Sequence, residues 1–352
     1  MGPQVPLMQK EGRRLTETAD IAAAAKVEES AFGDKAETAP TLYVVSRVGD
    51  LHGVKVAGEL AAAKSIIYDR EGNAMSMSTS VHKERQGMGA GTMLAKMMEE
   101  AAVKNHANTL FALVPPNNGP QLSSYMNKQG WEVDKVMPDF YGPEGDFGLG
   151  GDRFLVAKRI GRNKPAQPLK VPVSDLGRIG ETLDDGYIGF GLMRDGLINS
   201  LTFGKAEPAY KNDKKTDFTD SKEVVAAQAL ESQHFDPPSS VFFLRSMEKV
   251  GRVLAAREDG KLTGFSGVIP SPGFHAYIHG PIAAPGSPEF SGLLTKAEEE
   301  ARSMDAKIAW TIAPDSDKPR AKALEDAGYK SLEEAEGLYN GSKLIRYGKR
   351  LT

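Results

Sequence analysis

The sequence predicts a mixed α/β fold built twice. Two tandem units follow one another, each a copy of one α/β unit. Three observations predict this. At 352 residues the chain has the length of two domains. Its segments recur in the same order with an offset of about 200 residues. In the first unit, an alternating strand pattern runs straight into a glycine-rich loop and then into a helix pattern.

The recurrence has five members. Residues 20–32 and 223–235 both read as a helix ending in an aromatic, Phe32 and Phe235. Lys96, Glu99, Glu100 and Ala101 return as Lys296, Glu299, Glu300 and Ala301. The strand pattern at 109–114 before Pro115 returns at 307–313 before Pro314. Gln129-Gly130-Trp131 returns as Ala327-Gly328-Tyr329, and the closing strand patterns at 154–159 and 344–350 correspond.

In chain order, residues 13–16 read as a short first strand and 20–31 as a helix. The stretches 42–47 and 56–67, rich in apolar and β-branched residues, read as the next two strands. A turn at 69–73 leads to strand 74–81, the glycine loop, helix 93–105 and strand 109–114. After Pro115-Pro116-Asn117-Asn118 comes a helix near 121–128, stopped by Gly130, and two final strands. In the second unit, 250–257 and 261–268 flank the hairpin turn Glu258-Asp259-Gly260, and 274–282 is the strand before the helix. The expected division is a tail at 1–12, a first unit at 13–160, a connecting segment at 161–220 and a second unit at 221–352. The connector opens with linker composition at 162–168, hints at a hairpin at 188–191 and 197–203, and carries a charged loop at 211–215.

Composition narrows the function. A formal charge of −3 gives no pull toward nucleic acid or an anionic membrane. No apolar run approaches a membrane span. The first residues lack a signal-peptide pattern, and Pro6 breaks the myristoylation pattern, so a cytoplasmic protein is expected. The absence of Cys excludes disulfides, thiolate nucleophiles and Cys-ligated zinc. The six His are scattered, and no metal is expected.

The stretch from Val81 to Thr92 carries the chemistry. Glycine admits positive φ and lets another group approach bare backbone. The first N–H groups of a helix have no internal partner, and the helix dipole adds positive character there. Strand, glycine loop and helix start therefore make a pyrophosphate cradle. A P-loop would place Lys-Ser/Thr after the last glycine, where this chain has Thr92-Met93. A dinucleotide fingerprint wants Gly-x-Gly-x-x-Gly and an acid closing the next strand; here the glycines are Gly87, Gly89 and Gly91, and Pro115 follows the strand. An oxidoreductase of that kind is disfavoured.

The spacing Gln86-x-x-Gly89-x-Gly91 resembles the coenzyme A loop of the GNAT acyltransferase superfamily. With Asn117 and Asn118 after the next strand and Tyr125…Gly130-Trp131 closing the second helix, the resemblance covers the first unit, and the repeat makes the chain similar to tandem GNAT proteins. It implies, in each unit, a mixed, mostly antiparallel sheet flanked by helices, and an acyl-CoA, by default acetyl-CoA, as co-substrate. The cofactor-binding residues it implies are Ser80, Val81, Gln86, Gly87, Met88, Gly89, Ala90, Gly91 and Thr92, then Asn117, Asn118 and Tyr125. It also implies a primary amine, small molecule or peptide, as acceptor, attacking the thioester directly. The family's thiolate-protonating Tyr lies four residues before the glycine of its Gly-Phe pair. Here that place is Met126, and Tyr125 stands one step earlier, turned about 100° away on a regular helix. Tyr125 either serves as the acid through a bulge or packs against the sheet. Candidates for the general base are Glu59, Glu84 and Asp139 beside Tyr141, with His82 also at the loop mouth. Met75, Met77, Trp310 and Tyr329 read as core.

In the second unit, Gly286-Ser287-Pro288-Glu289-Phe290-Ser291 stands where the first has Gln86 to Gly91. Proline cannot donate an N–H, and Glu289 puts negative charge where a pyrophosphate would sit. The second unit is expected not to bind coenzyme A. The leading expectation is an N-acyltransferase active in the first unit; the alternative is a non-catalytic binding or assembly module of the same fold.

Overall fold

A computed structural model describes residues 9–33, 36–140, 151–159, 169–185, 187–195, 198–205, 216–339 and 341–352. The first unit runs β1 (Lys10–Arg14), α1 (Thr18–Phe32), α2 (Ala39–Val48), β2 (Gly49–Val56), β3 (Glu59–Tyr68), β4 (Asn73–Val81) and α3 (Ala90–Lys104). It continues through β5 (Thr109–Val114), α4 (Gly119–Ser123), a π-helical turn (Ser124–Lys128), β6 (Glu132–Met137) and β7 (Arg153–Arg159). Then come β8 (Leu169–Pro172), α5 (Leu176–Asp184), β9 (Tyr187–Asp195) and β10 (Ile198–Lys205). The second unit comprises α6 (Ser221–Glu231), α7 (Val241–Val250), β11 (Arg252–Glu258), β12 (Lys261–Ser271), β13 (His275–Ile282) and α8 (Pro288–Ser303). It closes with β14 (Ile308–Pro314), α9 (Lys318–Asp326), β15 (Lys330–Tyr339) and β16 (Ser342–Arg350).

Two mixed sheets result. The first has order β1-β2-β3-β4-β5-β7-β6-β9-β10-β8, and the second β11-β12-β13-β14-β16-β15. The run β2-β3-β4-β5-β7-β6 repeats strand for strand in the second sheet, so the sequence repeat is a structural one. In each sheet the parallel contact joins the strand before the long helix to the strand after it, β4 to β5 and β13 to β14. The other described pairs are antiparallel.

Four expectations change. Residues 42–47 are not a strand but the core of α2. Thr38 caps that helix, its Oγ1 accepting from the Thr41 N–H at 3.4 Å, and Pro40 sits in the first turn. Leu42, Tyr43, Val44, Val45 and Val48 are all buried, and tertiary burial overrides the strand preference of the valines. The stretch 56–67 is the end of one strand and most of another, broken where Ala57 and Gly58 take φ of 54° and 86°. Residues 10–12, expected in a tail, pair with β2. Residues 169–205, expected within a connector, contribute β8, α5, β9 and β10 and extend the first sheet from the edge of β6. The charged loop at 211–215 and Tyr141 lie outside the described residues.

The units share a core. Met75, Met77 and Phe111 from the first sheet cluster with Phe243 and Met247 of α7 and with Tyr277 and Trp310 of the second sheet. Polar contacts rim it: Ser240 Oγ donates to Glu37 Oε1 at 2.7 Å, Arg47 pairs with Glu333 at 3.1 Å, and Arg245 Nε donates to the Phe140 carbonyl at 2.6 Å. Among the described residues, no helix is long and apolar enough to cross a membrane.

Candidate functional site

The site begins where β4 and β5 part. They pair only from Asn73↔Thr109 to Met75↔Phe111. Beyond Met75, the β5-facing edge of β4 has no strand partner among the described residues, and the gap opens into a cleft of about 1090 Å³. The glycine loop closes one side. Gly87 and Gly89 take φ of 77° and 79°, the left-handed region that other residues enter at a cost. A Cβ on Gly89 would lie 3.0 Å from Lys10 Nζ. Gly89 is also the N-cap of α3 and supplies no side-chain cap. The Met93 N–H is the first to bond back, to the Gly89 carbonyl at 3.2 Å, which leaves the amides of Ala90, Gly91 and Thr92 for a ligand. Gly87, Gly89, Gly91, Thr92, Val81 and Gln86 line the cleft. This is a cradle of backbone donors that larger residues would fill, and it fits a pyrophosphate.

Lys64, Thr79 and Tyr125 meet on the cleft wall. Lys64 on β3 faces Thr79 on β4 across the ladder, and its Nζ donates to Thr79 Oγ1 and, at 3.2 Å, to the Tyr125 hydroxyl. Tyr125 stacks at 4.5 Å on Trp131 and is buried. Burial alone would raise its phenol, but the Lys64 ammonium and the hydroxyls of Ser76 and Thr79 outweigh burial and lower it. Tyr125 reaches the cleft because it lies in the π-helical turn Ser124–Lys128. From the N-cap Asn118 to Gly130 the chain is one residue longer than from the corresponding Asp317 to Gly328. The π turn takes up that residue and re-aims the side chain.

Glu28 of α1 lines the cleft as well. Its Oε1 accepts from Ser78 Oγ at 2.6 Å, and its Oε2 is buried without a hydrogen bond. Burial raises its pKa to about 7, against the opposing pull of the Ser78 hydroxyl and the Glu37 backbone. A carboxylic acid poised near neutrality in a cleft is a group that can accept and release a proton.

The expected site residues divide. Val81, the loop glycines, Ala90, Thr92, Gln86, Asn118 and Tyr125 line the cleft. Ser80 turns its hydroxyl to the Ala63 carbonyl at 3.1 Å, so only its backbone remains to serve. Asn118 spends its Oδ1 on capping α4, accepting from the Gln121 N–H at 3.2 Å. Neither Met88 nor Asn117 lines the cleft. Of the acids, Glu59 pairs with Arg85 at 2.8 Å with its carboxylate largely in solvent, and Glu84 is exposed; neither lines the cleft. Asp139 is exposed and also outside it. His82 caps a short helical turn. Glu28 and Lys64 were missed. Glu28 had a signal: it sits beside Val27 on the apolar stripe of α1, and the repeat places Glu231 at the same point.

The second unit fills the same place. β13 and β14 also part, after Tyr277↔Trp310. There Ser287 stands where the first unit has Gly89, and it caps its own helix by accepting from the Phe290 N–H at 3.1 Å. Gly89 thus corresponds to Ser287, and Gly91 to Glu289, two positions earlier than the sequence comparison suggested. The Arg320 side chain, fully buried, lies in the gap. It donates to the Pro281 carbonyl and to Asp317 at 3.0 Å, with its guanidinium over Phe235 and Phe290. Glu231 is met by Ser239 at 2.9 Å and by His279 Nε2 at 3.2 Å. The cavity left beside Glu231 measures about 30 Å³. Among the described residues, no group of His, Cys, Asp and Glu could hold a metal ion.

No family model matches the chain, and no curated protein matches it. Solved structures do. The ribosomal-protein-S18-alanine N-acetyltransferase of Escherichia coli is 18% identical, with 45% of this chain and 99% of that one covered and a TM-score of 0.39. The IAA acetyltransferase of Bacillus cereus is 18% identical, with 43% and 100% covered and a TM-score of 0.37. An acetyltransferase of Bacillus subtilis in complex with CoA is 19% identical, with 44% and 99% covered and a TM-score of 0.35. Each spans less than half of this chain. Strand order and the parted parallel pair recur in both units.

Proposed function

We propose that the first unit is an acyl-CoA-dependent N-acyltransferase, acetyl being the default acyl group, and that the acceptor is a primary amine. One observation carries the reading. The first unit keeps an open gap leading from an uncapped helix start to a proton acceptor and a lowered phenol, whereas the second unit plugs the same gap.

The residues fit the co-substrate. The backbone amides at the start of α3 would hold the pyrophosphate, and the unpaired edge of β4 would hold the pantetheine amides. Bound there, an acyl-CoA supplies the activated thioester. Glu28 takes a proton from the ammonium of the acceptor, which frees the nitrogen lone pair for attack. The Tyr125 hydroxyl holds the proton that the departing sulfur requires, and Lys64 stabilises the phenolate left behind. Acid and base of this kind each contribute about 10²- to 10⁴-fold. The cysteine-free composition suits a reducing cytoplasm, where we place the reaction. The second unit serves as scaffold and as one wall of the cleft.

Calorimetric titration of acetyl-CoA into the full chain tests the reading. One site per chain, lost on Gly89→Val, supports it. No binding at millimolar ligand sinks it and favours a non-catalytic module.

A further inference from the structure

We infer that the acceptor is a primary amine on an apolar body, and that α7 of the second unit supplies one wall of its site. This rests on the acyltransferase reading and deepens it. Two buried carboxylates, Glu28 and Glu37, line the cleft, the Glu37 backbone lying against the Glu28 carboxylate. They are tied to different parts of the molecule. Glu28 accepts from Ser78 of β4, and Glu37 accepts from Ser240, the N-cap of α7. Phe242 follows two residues later and reaches the same cleft.

Apolar side chains share the cleft with the two acids. Phe32 comes from α1, Met77 and Leu113 from the parted strands, and Phe242 from α7, where it packs on the shared core. Carboxylates framed by aromatic rings hold an ammonium by charge and by the ring faces. A polar body set against these four side chains would have its hydroxyls desolvated without partners there. An acceptor carboxylate would be repelled by Glu28 and Glu37. Of the cations lining the cleft among the described residues, Lys64 donates to Thr79 and Tyr125, Arg85 pairs with Glu59 at 2.8 Å, Arg153 donates Nη1 to the Asp152 carbonyl at 2.7 Å, and Lys128 is exposed. The acceptor class is therefore an arylalkyl- or alkylamine without an anionic group.

The test compares 2-phenylethylamine, phenylalanine and glucosamine as acceptors with acetyl-CoA and the full chain. The expected result is a kcat/KM for 2-phenylethylamine at least tenfold above either other amine. Phe242→Ala and Phe242→Leu should raise its KM about tenfold and leave acetyl-CoA affinity unchanged. A preference for phenylalanine or glucosamine overturns the inference. So does an unchanged KM in whichever Phe242 variant retains the wild-type thermal transition. Should acetyl-CoA not bind, the acyltransferase reading fails separately. Direct calorimetric binding of the three amines to wild type and to the Phe242 variants then decides the acceptor class by the same order of preference.

Discussion

Lys64 Nζ lies 3.2 Å from the Tyr125 hydroxyl, and both side chains are buried at the parting of β4 and β5. The two come from elements 61 residues apart in sequence. Neither position is costless alone: a buried ammonium wants an acceptor, and a buried phenol wants a donor. Together they satisfy each other and lower the phenol.

The pair predicts the upper limb of the pH profile. A general acid must be protonated, so kcat falls as pH rises through the Tyr125 pKa. Lys64→Met removes the cation that lowers that pKa and should move the limb to higher pH. Tyr125→Phe should remove the limb and lower kcat by about 10²- to 10⁴-fold. Steady-state rates between pH 6 and pH 11 read both outcomes. A limb that stays in place in Lys64→Met would show that another group titrates.

Glu28 predicts the lower limb and a stability effect of defined sign. Its folded pKa, about 7, exceeds its ordinary 4.5. The folded chain binds this proton more tightly than the unfolded chain. The stability contributed is therefore fully present below pH 4.5 and is lost as pH rises through 7. The loss amounts to roughly 3 kcal/mol. Glu28→Gln keeps the neutral shape, so it should match wild type near pH 4 and be the more stable protein at pH 8. Its acylation rate should fall about 10²-fold or more and lose the limb near neutrality. Denaturant melts at the two pH values and a rate profile check these separately. Equal stability at pH 8 would place the carboxylate in a more solvated setting than its burial implies.

The glycine loop was legible because its chemistry is local. Gly87 and Gly89 are needed where φ is positive, and the helix start follows at once. The repeat was legible because helix and turn signals such as Gly130 and Gly328 recur in order. What escaped depends on distant contacts. Val44 and Val45 prefer strands in isolation, yet α2 is buried between the first sheet and β15 and β12 of the second unit. Glu28 is marked in the sequence only by its place on the apolar stripe of α1, and its role needs β4 laid beside it. The π turn cannot be read from Tyr125 alone, because only the spare residue before Gly130, seen against the second unit, reveals it. The hairpin of β9 and β10 was hinted at in the sequence, but its place at the edge of the first sheet is set by the distant β6.

Gly49 and Gly251 occupy one position in the two units, each ending the helix before the first shared strand. A Cβ on Gly49 would lie 2.0 Å from the Ile66 carbonyl oxygen, and one on Gly251 would lie 2.0 Å from that of Val268. The obstacle is backbone in mid-sheet, which cannot swing aside. Gly49→Ala and Gly251→Ala should each destabilise by on the order of 3 kcal/mol. Alanine at Gly177, with nothing near its missing Cβ, should stay within about 0.5 kcal/mol. Urea midpoints read the difference, and an unshifted midpoint for either sheet variant would mean that the strands yield there.

Gln121 and Arg320 occupy equivalent places, each the third residue after its N-cap, with its N–H bonded to the cap side chain at 3.2 and 3.1 Å. In the first unit Gln121 lines an open cleft; in the second, Arg320 fills the gap. Gln121→Arg should therefore partly plug the first unit and weaken acetyl-CoA binding at least tenfold, with the thermal transition retained. Arg320→Gln should act differently. It loses a buried hydrogen bond and the contact with Phe235 and Phe290, so the chain should lose about 3 kcal/mol of stability. No second acetyl-CoA site should appear, because Ser287 still caps α8 and Phe290 still stands where the first unit has Thr92. Calorimetric stoichiometry separates the cases. A stoichiometry of two in Arg320→Gln would mean that the arginine alone silences the second unit, and the cap and Phe290 would then be incidental.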